Sequence, residues 1–274
     1  MITIGITTYN RKDILEIMAA SLYNSDISVP HNIRIFDDCS KEFGMEELKR
    51  IFPTAASVSI NENNMKADKN IFIMYRDFLV TGDSFLFSAD ADLLFSKNWL
   101  KAAIELVKKT SGILTLFNAN SHVPNKILDN DLCLKKTIGN AGTLIHRNRI
   151  EEFMKHIGSI ENVKAFDWQF SDYFNAMNIP IYSVNNSLVQ HIGHIGQNTN
   201  FYFDYGRNFK IETLENGQVI NNMFECYIDN IRRIDMERTG SIWYHARRII
   251  IIIMKKLLPE RLFNFIRKKV IKNP

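Results

Sequence analysis

The sequence predicts an α/β fold: a mostly parallel, doubly wound sheet flanked by helices, with a helical, basic C-terminal tail. Three observations lead there. Short apolar segments with strand-like spacing alternate with segments of helical spacing. Polar clusters close three of the strand-like segments, and doubly wound sheets bind ligands at the carboxyl ends of their strands. Charge is also divided unevenly. Residues 232–274 hold twelve Lys/Arg and three Asp/Glu, a net of +9; the whole chain carries +4, so the remainder carries −5.

Taken in order, Ile2, Ile4 and Ile6 alternate with Thr3 and Gly5 as a strand, closed by Thr7-Thr8-Tyr9-Asn10-Arg11. A helix follows from Lys12 or Asp13, with Ile14, Leu15, Met18 and Leu22 on one face. Ile33–Phe36 is a second strand, closed by Asp37-Asp38-Cys39-Ser40. A short helix is expected over 45–52, a third strand over 58–60, a polar loop over 61–64 and a helix over 69–79. The apolar run Phe85-Leu86-Phe87-Ser88-Ala89 then ends in Asp90-Ala91-Asp92. Trp99, Leu100, Ala103 and Leu106 give a helix over 98–109 in which Trp99 is a core residue. A strand over 113–117, a polar loop over 118–135 and a glycine-bearing turn into an apolar strand over 138–147 follow. Residues 170–177 read as helix, 181–184 as strand, and 187–196 as a glycine-flanked loop carrying His191 and His194.

At 274 residues, 46% hydrophobic and 23% charged, the chain is long enough for a substantial core and far from the composition of disorder. Cys39, Cys133 and Cys226 are widely spaced and form no C-x-x-C, which argues for a reducing compartment and against a zinc site. The N-terminus has no basic leader, and the longest apolar run, 249–254, is far short of the roughly 20 residues a membrane span needs. At the end of a strand, two carboxylates one residue apart suit Mg2+ or Mn2+ with a phosphate on the far side of the ion.

The order T-Y-N-R after the first strand, D-D-x-S after the second, Lys69-Asn70 after an Asn-rich loop, then D-x-D followed by Trp99-Leu100, resembles the nucleotide-sugar half of GT-A-fold glycosyltransferases, family 2 in particular. The likeness covers residues 1–110 well and 135–195 more loosely. It implies a GT-A domain over 1–205, with a nucleotide-sugar half to about 110 and an acceptor half beyond, and a separate extension over 206–274. Thr8 and Tyr9 would line the base and ribose site, Asn10 and Arg11 would shape the turn, and Asp37 or Asp38 would bind base or ribose. Lys69 would lie near the diphosphate. Asp90 and Asp92 would hold Mn2+ or Mg2+, with His191, or else His194, as a further ligand. Family 2 enzymes usually carry Glu-Asp where this chain has Phe166-Asp167-Trp168. Asp167 alone matches the base position, with Asp172 as its competitor.

The tail pairs Lys and Arg with Leu262, Phe263, Ile266 and Val270, as an interfacial helix on an anionic leaflet would, or as a helix packed on the domain with a solvated basic face. The expected partners are a nucleotide-sugar donor (UDP foremost), a glycan or lipid-linked acceptor and an anionic membrane surface, with no nucleic acid. The expected location is cytoplasmic, peripheral on the inner face of the cell membrane. The expected activity is metal-dependent sugar transfer in surface polysaccharide or lipopolysaccharide synthesis. The rival readings are a sugar nucleotidyltransferase and an inactive nucleotide-sugar-binding protein.

Overall fold

The structure is a computed structural model. It describes residues 1–119, 122–139, 141–193 and 205–217, with 220, 221 and 246. The chain divides into two compact units, 1–217 and 218–274. The tail expectations, His194 and residues 200–204 lie outside the described residues.

The first unit runs β1 (Ile2–Thr8), α1 (Lys12–Asn24), β2 (His31–Asp37), α2 (Met45–Ile51), β3 (Ala55–Ile60), α3 (Ala67–Leu79), β4 (Phe85–Asp90), β5 (Leu93–Phe95) and α4 (Trp99–Val107). It continues through β6 (Ile113–Thr115), β7 (Lys126–Ile127), β8 (Leu132–Lys135), β9 (Thr143–His146), α5 (Arg147–Ile157), α6 (Phe166–Ala176), β10 (Ile181–Val184) and β11 (Val189–His191). A nine-stranded sheet has the order β3-β2-β1-β4-β9-β6-β10-β8-β7. The pairings make β8 and β9 antiparallel to their neighbours, so the other seven strands run one way and the sheet is mostly parallel. β5 and β11 form a separate antiparallel ribbon.

Alternation along β1 places the core on both faces of the sheet. Ile2, Ile4 and Ile6 pack with Leu15, Met18 and Leu22 of α1 and with Trp99, Leu100 and Ala103 of α4. The opposite face carries Met74, Tyr75 and Phe78 of α3, Phe153 of α5 and Phe166, Phe170 and Phe174 of α6. Each fully buried side chain of this kind contributes about 1.5–3 kcal/mol. Trp99 is completely buried, as expected, and donates from Nε1 to Ser25 Oγ at 3.0 Å. α3 approaches β1 so closely that a Cβ on Gly5 would lie 2.5 Å from Met74 Sδ.

Several elements depart from expectation, among them β11, a strand inside the 187–196 segment read as a loop, and α6, which starts at Phe166 rather than near 170. Residues 118–135 are not simply a polar loop: β7 and β8 form a hairpin at the sheet edge. Lys126 and Ile127 are both exposed, so this short edge strand has no buried face to mark it. The helix α5 was not expected, although Ile150, Phe153, Met154 and Ile157 are all buried at helical spacing. Its first residue ties it to α3: the Arg147 guanidinium donates to the carbonyls of Phe78, Leu79, Thr81 and Asp83, closing the helix end there.

Gly142, just before β9, has φ +73°, and a Cβ there would sit 2.7 Å from Val189 Cγ2 of β11. Gly142→Ala therefore combines a left-handed backbone with a core clash. We expect a loss of about 1–3 kcal/mol in urea unfolding. An unchanged unfolding midpoint would show that the turn relaxes freely.

Candidate functional site

The site lies where the central strands end. In the register of β1, Thr8 is opposite Asp37 of β2 and Thr7 is opposite Asp90 of β4. The three polar clusters therefore lie on adjacent strands at one level, at the carboxyl edge of the parallel sheet. The Asp38 N–H donates to Thr8 O at 2.9 Å, closing the first two strand ends together. Thr8 is buried, and its hydroxyl oxygen has no hydrogen-bond partner among the described residues.

Asp37 and Asp38 both organise loops. Asp37 accepts from the backbone N–H and the hydroxyl of Ser40, and burial, opposed by those bonds, pushes its carboxyl above the usual range. Asp38 accepts from Met65 N, Lys66 N and Asn61 Nδ2, holding the loop that opens α3. Asn70 completes that network, accepting from Asn61 and donating to Phe36 O. Tyr9 and Asn10 are half-buried, and Asn10 fastens the two turns together by donating its N–H to Ser40 and accepting from Lys41 N. Lys69 is half-buried in the first turn of α3. Among the described residues no hydrogen bond or ion pair joins it to the carboxylate cluster.

That cluster is Asp90, Asp92 and His191, whose nearest ligand atoms all lie within 4.8 Å of one another. Asp90 ends β4 and accepts from Thr7 Oγ1 at 3.2 Å. Beyond it the chain re-enters the interior as β5, and β11 pairs with β5 so that His191 stands opposite Leu93. This ribbon carries His191 Nε2 to 3.0 Å from Asp92 Oδ1. Burial, then the Asp92 charge, push Asp90 up to about 6. Burial alone would also raise Asp92, but His191 and then Arg11 outweigh it and hold Asp92 low. Burial would lower His191, and the two carboxylates outweigh it and raise it. Two carboxylates and one imidazole are a suitable donor set for Mn2+, and less so for Mg2+ because of the nitrogen.

Two contacts of Asp92 were not anticipated from sequence. Arg11 Nη1 lies 2.9 Å from Asp92 Oδ2, so Arg11 does more than shape its turn. Gly193 fits against both: a Cβ there would fall 1.8 Å from Asp92 Oδ2 and 2.8 Å from Arg11 Nη1. No local pattern announces either contact, because each joins residues far apart in the chain.

Asp167 lies in the first turn of α6 and lines a small cleft with Tyr75, Ile138, Thr143, Ile145 and Phe170. It is not the helix cap; that position is Ala165, in the left-handed region at φ 48°. Its Oδ2 faces Gly139, where a Cβ would lie 3.9 Å away. Fully buried Tyr75 links this cleft to the cluster. Its hydroxyl is hydrogen-bonded to Ser88, and burial, then the charges of Asp167 and Asp90, push it well above the usual phenol range. Asp172 is exposed on the outer side of α6. Trp168, next to Asp167, is 62% exposed.

No protein-family model matches the sequence, and no curated protein is similar to it. Solved structures are. S. aureus TarS 1-349 in complex with UDP-GlcNAc superposes with TM-score 0.54 at 16% identity, over 72% of this chain and 59% of that one. The same protein with UDP gives TM-score 0.50 at 17% identity, over 69% and 59%. GalNAc-T7 with UDP, GalNAc and Mn2+ gives TM-score 0.52 at 12% identity, over 67% and 42%. The chain thus spans 59% or less of these relatives' length. At such identities the shared feature is architecture alone, and that architecture is the GT-A fold.

Proposed function

We propose that the protein is a metal-dependent glycosyltransferase. It moves a sugar from a nucleotide donor, UDP-linked in the first instance, to a glycan or lipid-linked acceptor. The observation that carries this reading is the convergence of Thr8, Asp37 and the Asp90–Asp92–His191 cluster on adjacent strand ends at the carboxyl edge of the sheet. The complexes of fold relatives with UDP, UDP-GlcNAc and Mn2+ support the choice of donor and ion.

Asp90, Asp92 and His191 would hold the divalent ion. When bound, it supplies Lewis-acid stabilisation of a departing diphosphate. Thr8 and Tyr9 would line the base and ribose site, and Asp37 would receive a uracil N–H or a ribose hydroxyl at the cost of loosening its Ser40 bonds. Asp38, which already accepts three bonds, would act mainly by holding the loop. Lys69 would approach the diphosphate from the start of α3. Asp167 would take the proton of the acceptor hydroxyl as that oxygen bonds to the anomeric carbon. The carbon–oxygen bond to the phosphate breaks, its electron pair leaves with the nucleoside diphosphate, and the anomeric configuration inverts. The basic extension would bring the domain to an anionic membrane surface on the cytoplasmic side, where lipid-linked intermediates of surface polysaccharides are accessible.

Thermal unfolding with nucleotides tests this reading. UDP with Mn2+ at about 100 times Kd should stabilise the protein by about 2.7 kcal/mol. That corresponds to a rise in Tm of roughly 5 °C or more. EDTA should remove most of the rise. An unmoved Tm across UDP, GDP and their sugar conjugates, with or without Mn2+, would overturn the proposal.

A further inference from the structure

We propose that Arg11 occupies Asp92 in place of the ion's charge until the donor's diphosphate draws it away, so that donor and divalent ion bind cooperatively. This rests on the nucleotide-sugar reading above and adds a linkage between its two ligands.

Both oxygens of Asp92 are engaged. Oδ2 meets the Arg11 guanidinium at 2.9 Å and Oδ1 meets His191 Nε2 at 3.0 Å. An ion held by Asp90, Asp92 and His191 would therefore lie beside the positive charge of Arg11, which opposes it. The two members of the Arg11–Asp92 pair differ in freedom. The Asp92 side chain is 4% exposed and sealed by Gly193, whereas the Arg11 side chain is 32% exposed. Arg11 is the more accessible member of the pair, and Asp92 is the one held by burial.

The backbone aims Arg11 inward. Asn10 and Arg11 take φ 51° and 58°, two consecutive left-handed residues without a glycine. Each costs of order 1 kcal/mol or more, and such strain persists only where the surroundings fix it. The Ser40 and Lys41 bonds fix Asn10, and the Asp92 pair fixes Arg11. A diphosphate entering between the β1 and β4 ends offers a guanidinium two oxygens in a planar fork, a better partner than one buried carboxylate oxygen. Once Arg11 turns to it, Asp92 Oδ2 is freed for the ion.

The experiment measures Mn2+ binding alone and UDP binding in EDTA, by calorimetry, for the parent protein, Arg11→Met and Arg11→Lys. Arg11→Met should tighten Mn2+ binding to the donor-free protein about tenfold and weaken UDP binding in EDTA by a similar factor. Arg11→Lys, which keeps the charge and loses the fork, should fall between parent and Arg11→Met on both scales. A tie that merely supports the fold predicts weaker binding of both ligands. Mn2+ affinity unchanged or reduced in both variants, with UDP and Mn2+ still binding the parent, would overturn this inference alone. A parent that binds neither ligand would overturn the functional proposal as well.

Discussion

Asp90→Asn should yield a metal-free protein harder to unfold than the parent and unable to transfer sugar. Burial and the Asp92 charge raise the folded pKa of Asp90 to about 6, above the ordinary carboxylate value. A raised carboxyl stabilises the fold while it is protonated, and that contribution is lost as pH rises through the folded value. At about pH 7.5 the parent carries the charged form at a cost, and the amide removes it. Tm in EDTA should therefore rise by about 2–4 °C at that pH, as a gain of about 1 kcal/mol would give. The two proteins should melt together near pH 5, where Asp90 is largely neutral. Donor turnover with Mn2+ should fall at least about 10³-fold, equivalent to roughly 4 kcal/mol of lost transition-state stabilisation. A variant that is no more stable at pH 7.5 would refute the electrostatic account. Turnover within about tenfold of the parent would refute the metal role.

Asp167→Asn should separate chemistry from binding. The amide preserves the shape of the cleft and the start of α6 but cannot take a proton. We expect kcat to fall about 10²–10⁴-fold while UDP and Mn2+ affinities stay within about twofold of the parent. Tyr75 sharpens the reading, because its phenol stands between the Asp167 cleft and Asp90. If donor affinity fell as far as turnover, Asp167 would belong to the donor site and another group would have to serve as base. Unchanged turnover would remove Asp167 from the chemistry and reopen the inactive-binder reading.

How much of this was legible in the sequence follows the range of the interactions. β1, β2 and β4 could be read because their apolar residues alternate or run unbroken between polar ends, a strictly local signal. Their polar ends, Thr8, Asp37 and Asp90, then fell in one register because parallel neighbours in a doubly wound sheet finish at the same edge. The edge strand over Lys126–Ile127 left no such trace, since neither residue is buried. Helix α5 did leave one, in the spacing of Ile150, Phe153, Met154 and Ile157, but it opens on Arg147-Asn148-Arg149, which reads as a polar turn. The contacts of Arg11 and Gly193 with Asp92 were out of reach for a different reason. They depend on a left-handed turn at Asn10–Arg11 and on the pairing of β5 with the distant β11, so no pattern local to Asp92 announces them.

On the proposed reading, that same ribbon would also set when the ion site forms. Asp92 and His191 are separated by roughly a hundred residues, which a ribosome adds in about 5–20 s. Through that interval the nascent chain has Asp90, Asp92 and Arg11 but lacks His191. On the proposed reading, metal capture during synthesis would wait for the residues beyond about 110, and a fragment ending there would lack the His191 ligand.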